Sequence, residues 1–323
     1  METRTLPHTD LTVSRACFGT MTFGMQNDAA AAQRMIDLSL DRGVNFFDTA
    51  NVYSTGAAET MLGEALKGRR DRVIVASKVR MRMGDAPNES GLSRAAMLKA
   101  IDETLMRLQT DYLDIYYLHA PDWDVPIEET LETMDRLVRA GKVRYPGTSN
   151  YAGWQVCEMQ WIAERNGYRP AVISQPMYNL LARGVEQEYV AMCSRFGISN
   201  VVYNPLAAGL LTGKQHRDRP LPGSRFELVP MHRDRFWHPA FFDAVDDLRA
   251  AAERAGRSLV DVALSWLLYH TPTDCIILGA SNESQLTENL DVFEKGGRLS
   301  DDIICVADAA WQKLRGVIPK YNR

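Results

Sequence analysis

Eight short runs rich in β-branched and aromatic residues, at 16–20, 44–49, 73–78, 112–119, 143–149, 171–175, 200–204 and 275–279, alternate with longer segments of helical period along the whole chain. No other feature limits the fold as much. Several runs are continuously apolar, as in Val73-Ile-Val-Ala76, which suits parallel strands covered on both faces better than half-solvated hairpins. Between them, Met97, Ile101, Leu105 and Leu108 set one apolar stripe inward on a helix, and Leu131, Met134, Leu137 and Val138 repeat it. Ser258 and Asp261 have the spacing of a reciprocal capping box, so a helix is expected from there to about residue 270. Gly141 reads as a helix stop. Eight strand–helix units without a low-complexity linker describe an α/β fold, a single (β/α)8 TIM barrel. At 323 residues it is expected to form one domain over 1–323. Residues 1–13 form an N-terminal extension, and 206–239 a long Pro/Gly/Arg-rich insertion after strand seven, expected to be a lid or binding loop. An open doubly wound sheet is the alternative, but no G-x-G-x-x-G and no Walker pattern follows a strand.

Charge narrows the partners. With 37 basic against 41 acidic residues the chain has net charge -4 and offers no basic face, so nucleic acid is not an expected partner. No apolar run reaches the ~18 residues of a spanning helix, and the opening Met1-Glu-Thr-Arg-Thr is too polar for a secretory signal, so no membrane and a cytoplasmic location are expected. Five scattered cysteines without C-x-x-C spacing, and six histidines without H-E-x-x-H, argue against a disulfide framework and for no metal.

In such barrels chemistry sits at the carboxyl ends of the strands. Asp48 ends strand two, Tyr53 lies on the loop after it, Lys78 ends strand three and His119 ends strand four. The Lys78 ammonium is expected to lower the Tyr53 phenol from its ordinary value near 10, Asp48 to keep that lysine ionised, and His119 to orient an incoming oxygen. Such a phenol is a general acid for an oxygen that gains charge.

These residues stand in motifs that resemble the aldo-keto reductases. The motifs are Phe47-Asp-Thr-Ala-Asn-Val-Tyr53, Ala76-Ser-Lys78, Asp114-Ile-Tyr-Tyr-Leu-His119, Gly141-Lys-Val-Arg-Tyr-Pro-Gly-Thr-Ser149-Asn150, Tyr203-Asn-Pro-Leu-Ala-Ala-Gly209 and Gly279-Ala-Ser281-Asn-Glu-Ser-Gln285. Ile276-Ile-Leu, Arg235-Phe-Trp and Tyr321-Asn-Arg323 look most like the aflatoxin-aldehyde and succinic-semialdehyde reductase branch. The resemblance implies NADPH as cofactor and reduction of an aldehyde or ketone to the alcohol, with Tyr53 as proton donor. It assigns Thr20, Met21 and Asp48 to cofactor binding, Ser149, Asn150 and Gln175 to the carboxamide, and Tyr203 to stacking on the nicotinamide ring. Asn204, Pro205, Leu206, Ala208, Gly209 and Lys214 would follow the pyrophosphate. Gly279, Ser281, Gln285, Glu288 and Asn289 would hold the adenosine end, and Arg225 with Lys214 would favour the 2′-phosphate.

For a small-molecule carbonyl substrate, Met21, Tyr53, His119, Arg235, Trp237 and Arg323 are the expected lining, the arginines suited to a carboxylate. A homodimer is a family-level expectation. The alternative of another class is a cofactor-binding regulatory subunit resembling potassium-channel β subunits, against which His119 weighs. Pro146 stands where the family usually carries Ile or Leu, and a strand proline predicts a local bulge or edge distortion near the cofactor site.

Overall fold

The computed structural model describes residues 1–316. The chain opens with an antiparallel hairpin, β1 (Thr3–Thr5) and β2 (Thr12–Ser14). A closed parallel barrel follows: β3 (Ala16–Gly19), β4 (Phe46–Asp48), β5 (Ile74–Val79), β6 (Leu113–Leu118), β7 (Val143–Ser149), β8 (Ile173–Gln175), β9 (Ser199–Val202) and β10 (Cys275–Leu278), with β10 closing on β3. Each of the eight expected strands is present, most of them trimmed by a residue or more at one or both ends. The hairpin is the element the sequence reading left without structure. Leu6, Leu11 and Val13 from it join Phe46, Ile115, Tyr117 and Ile173 in the barrel interior, plugging the end opposite the strand carboxyl termini. At Gly147 a Cβ would come 2.5 Å from the Tyr117 ring, so only glycine leaves that interior ring its place.

The helices follow their expected stripes. On Arg94–Leu108 the buried positions include Met97, Ile101, Leu105 and Leu108, and on Ile127–Arg139 they include Leu131, Met134 and Leu137. Gly141 takes a φ of 74° just past the second of these helices, a conformation that costs glycine little. Ser258 does cap the helix Leu259–His270 by accepting from the Asp261 amide at 3.1 Å. The other half of the box is missing: Asp261 instead accepts from Arg257 at 2.7 Å and from Ser265 at 2.9 Å, because a guanidinium offers a carboxylate a stronger, charge-assisted bond than a backbone amide does.

The expected bulge at Pro146 is absent. Tyr116 pairs with Pro146 and Tyr117 with Gly147 in unbroken register, and the Pro146 carbonyl accepts from the Val172 amide at 3.2 Å. That carbonyl points toward β8, so the missing N–H would have pointed there too, before β8 begins at Ile173; no ladder bond is lost.

Residues 206–239 form a turn over Ala207–Thr212 and two short helices, Arg225–Leu228 and Pro230–Phe236. Among the described residues no helix is long and apolar enough to cross a membrane, and no three His, Cys, Asp or Glu side chains cluster as metal ligands.

Candidate active site

Parallel pairing brings the carboxyl ends of β4, β5 and β6 side by side, with Asp48 opposite Ala76 and Lys78 opposite Tyr117. Lys78 points into the barrel mouth and is completely buried. Its Nζ donates to Asp48 Oδ1 at 2.5 Å, to the Thr49 carbonyl at 2.7 Å and to the Tyr53 hydroxyl at 3.3 Å. An ammonium has three donors, and all three meet acceptors. Asp48 holds the Lys78 ammonium protonated against burial, which favours the neutral amine. The second oxygen of Asp48 accepts from Gln175 Nε2 at 2.9 Å. Both carboxylate oxygens are therefore satisfied, although burial still pushes the Asp48 carboxyl up.

Tyr53 begins a tight turn, Tyr53–Gly56, in which Ser54 and Thr55 take φ values of 48° and 53°. Left-handed backbone at two non-glycine residues carries strain. It is held by the Ser54 hydroxyl, which donates to the Phe23 carbonyl at 2.6 Å. The expectation that Lys78 draws the phenol below its ordinary value is not met. Burial pushes Tyr53 up by more than the ammonium pulls it down. Tyr53 thus keeps its proton at neutral pH, and the lysine lowers the cost of the phenolate left once that proton departs. Because the phenol oxygen accepts from Lys78, its own hydrogen is free to point elsewhere.

The His119 ring meets Tyr53 edge to face, with centroids 6.1 Å apart. Burial, aided by Lys78 and Arg80, pushes its imidazole down to about 3. His119 is therefore neutral at working pH. His119 Nδ1 is buried without a hydrogen-bond partner among the described residues.

A polar chain continues along the mouth. Ser149 donates to the Gln175 carbonyl at 3.0 Å, and Asn150, at a φ of 62°, donates to the Ser149 hydroxyl at 3.1 Å and to the His119 carbonyl at 2.9 Å. The Tyr203 hydroxyl donates to Asn150 Oδ1 at 2.8 Å. One network thereby links the ends of β6 to β9 to the tetrad of Asp48, Tyr53, Lys78 and His119.

The aldo/keto reductase family model matches residues 15–311. A human protein named aflatoxin B1 aldehyde reductase member 2 is 35% identical over 94% of this chain and 88% of its own. A rice protein named probable voltage-gated potassium channel subunit beta is 33% identical over 97% of each, and a Bacillus subtilis protein named uncharacterized oxidoreductase YrpG is 35% identical over 91% of each. The chain belongs to the aldo/keto reductase family.

The remaining expected residues fall into groups on this reductase barrel. Thr20 is buried and donates to the Asp48 carbonyl at 3.2 Å, while Met21 beside it is half-buried. Asn204 caps the turn after β9, its Oδ1 accepting from the Ala208 amide at 2.6 Å; Pro205 is buried beneath it and Leu206 half-buried. Ala207, Ala208 and Gly209 follow at φ values of 49°, 58° and 98°. Lys214 is bonded within its own turn, its amide donating to the Thr212 hydroxyl at 3.3 Å. Arg225 lies over Gly279, where a Cβ would come 2.5 Å from its Nη2. Burial pushes this guanidinium down, and no carboxylate among the described residues offsets it.

Ser281 donates to Gln285 Oε1 at 2.9 Å, Asn289 donates to the Gly279 carbonyl at 3.4 Å, and Glu288 is exposed on the helix Glu283–Lys295. Arg235 is exposed near Tyr203, whose phenol it helps to keep from rising further. Trp237 sits between Phe226 and Phe242, each centroid 5.1 Å away, so it packs the insertion together. Arg323, and Asn322 beside it, lie outside the described residues.

Three groups escaped the sequence reading. Thr49 contributes only its carbonyl, which no side-chain pattern can advertise. His232 is buried with both ring nitrogens unpartnered among the described residues, and burial with Arg225 and Arg235 nearby pushes it down to about 4. Arg34 joins Gln26, Asn27, Ser281 and Glu283 around a cavity of about 220 Å³, ion-paired to Glu283 at 2.6 Å. It sits far from Ser281 in sequence, on the first helix of the barrel, so spacing gave no sign of it.

Proposed function

We propose that this protein reduces an aldehyde or ketone to the alcohol with NADPH as reductant, Tyr53 supplying the proton. The observation that carries the reading is the fully engaged Lys78 ammonium, which bonds the phenol oxygen from behind and leaves its hydrogen free. The residues present fit a dinucleotide. Arg225, a half-buried cation with no carboxylate partner among the described residues and beside Gly279, suits a phosphate, and at Gly209 an added Cβ would meet nothing within 4 Å, so the backbone there can be approached closely. Ser149, Asn150 and Gln175 would hold the carboxamide, Tyr203 the ring, and Ser281, Gln285 and Asn289 the adenosine end. When bound, the cofactor supplies hydride.

The protein's own contribution is to orient and to protonate. His119, neutral, would hold the carbonyl oxygen near Tyr53, and the phenol proton passes to that oxygen as negative charge builds on it. Lys78 stabilises the phenolate that remains, and Asp48 keeps Lys78 charged. Arg235, and Arg323 in the sequence, would favour an aldehyde bearing a carboxylate; the human relative's name supports only that the substrate is an aldehyde.

A second reading has one observation behind it: the rice relative is named as a channel subunit. On that reading the barrel binds cofactor and regulates a partner. Cofactor oxidation against a panel of small, aromatic and carboxylated aldehydes separates the two. Multiple turnovers support the reductase; tight cofactor binding with no turnover on any aldehyde supports the regulator.

A further inference from the structure

The helix that follows Tyr53 is tied to the strand that carries Lys78 by a carboxylate behind the barrel wall. Glu59 lies in the first turn of the helix Ala57–Ala65 and is completely buried. Its Oε1 accepts from the Ser77 hydroxyl at 2.5 Å and its Oε2 from Arg107 Nε at 2.7 Å. Ser77 directly precedes Lys78 on β5. Successive strand residues face opposite sides, so Lys78 enters the mouth while Ser77 meets the covering helices. Arg107 comes from the last turn of the helix Arg94–Leu108. Two helices and a strand thus meet at one carboxyl group.

The same arginine bears on the Tyr53 turn. Gly56 closes that turn at a φ of 92°, and a Cβ there would come 2.8 Å from Arg107 Cδ. Glycine alone accommodates both the left-handed backbone and the close approach of the arginine stem. The turn is therefore anchored at its front by Ser54 on the Phe23 carbonyl, and at its back by Gly56 on Arg107 and Glu59 on β5. Strained backbone persists only where its surroundings hold it. Stability alone does not account for the pair, because a buried ion pair can often be exchanged for apolar residues of similar volume without loss. What the carboxylate adds is direction, through two hydrogen bonds of fixed geometry.

We propose that Glu59, held between Ser77 and Arg107, is a positioning residue that seats the Tyr53 turn on β5 and so sets the 3.3 Å separation of the Tyr53 hydroxyl and Lys78 Nζ. The consequence for rate rests on the reductase reading; the consequence for the distance does not. At an effective dielectric of about 20, lengthening that separation by about 1 Å weakens the support for the phenolate by roughly sevenfold. A misplaced phenol adds to this, up to about a hundredfold in rate.

The triple variant Glu59→Leu/Ser77→Ala/Arg107→Met tests it, since it removes both charges and the hydroxyl they would strand while keeping the volume. Its thermal midpoint should stay within about 4 °C of the parent. Its crystal structure should show the Tyr53 hydroxyl more than about 3.5 Å from Lys78 Nζ, out of hydrogen-bond reach. Single-turnover hydride transfer from NADPH to an aldehyde should slow by roughly seven- to a hundredfold, with the NADPH dissociation constant within about threefold of the parent. Ser77→Ala alone, which cuts only the bond to β5, should slow it by at least about threefold, and it decides the matter should the triple variant not fold. A folded triple variant that keeps the 3.3 Å contact, or a Ser77→Ala enzyme at the parent rate with that contact unchanged, overturns the proposal. A lengthened contact with undiminished hydride transfer would uphold Glu59 in this role and count instead against Tyr53 as the acid.

Discussion

Replacing Lys78 by methionine keeps roughly the side-chain volume and removes the charge. In the structure Nζ is 3.3 Å from the Tyr53 oxygen. At an effective dielectric of about 20, an ammonium there stabilises a phenolate by about 5 kcal/mol. With about half of that charge developed at the transition state, the loss is about 2.5 kcal/mol, or roughly 70-fold in rate; with all of it developed, roughly 5000-fold. Single-turnover oxidation of bound NADPH by an aldehyde should therefore slow by a factor between these limits. The cofactor dissociation constant should stay within about threefold, since Lys78 faces Asp48, Thr49 and Tyr53. The variant also strands a buried carboxylate, at a cost of about 3–5 kcal/mol of stability. Asp48→Asn added to Lys78→Met removes that charge, so it should regain much of the stability and none of the rate. A Lys78→Met enzyme within tenfold of the parent, or a double variant that regains turnover, would refute the reasoning.

Two further outcomes follow from the electrostatics. The His119 imidazole is held down at about 3 in the folded protein, against about 6.5 when unfolded. The unfolded chain therefore binds this proton first, and His119 removes stability as pH falls below about 6.5. Between pH 7 and 4 the parent should lose about 3 kcal/mol more than His119→Asn, as read by urea unfolding at each pH; equal losses would contradict the neutral assignment. Arg225→Met should weaken NADPH binding by roughly 10- to 150-fold, the worth of a charge-assisted hydrogen bond, and NADH binding by less if the 2′-phosphate is its target. Calorimetric titration with each dinucleotide decides this, and an unchanged preference would place the 2′-phosphate elsewhere, with Arg34 the next cation to test.

The barrel was legible because each buried parallel strand writes an uninterrupted apolar run and each covering helix writes a stripe, two periods that hardly overlap. The tetrad was legible because strand ends converge in this architecture, so Asp48, Lys78 and His119 had to meet. What escaped has physical reasons. The hairpin strands are three residues each, too short to show a period, and their apolar Leu6, Leu11 and Val13 gain meaning only as a plug. The direction of the Tyr53 shift depends on burial, with Asp48, outweighing the cations Lys78 and Arg225, a balance set by packing. Pro146 misled because which neighbour a missing donor faces depends on register. Trp237 is expected from the sequence in the substrate lining, and its packing between Phe226 and Phe242 could not be seen there because those contacts depend on how the insertion folds.

The central claim is that the Tyr53 hydroxyl is the proton source. Tyr53→Phe deletes one oxygen and little else, so its effect on the reaction is direct. Single-turnover hydride transfer to an aldehyde should slow by at least about a hundredfold, while NADPH binds within about threefold of the parent. A Tyr53→Phe enzyme that transfers hydride within about tenfold of the parent rate, or that loses its cofactor along with its activity, would contradict the account.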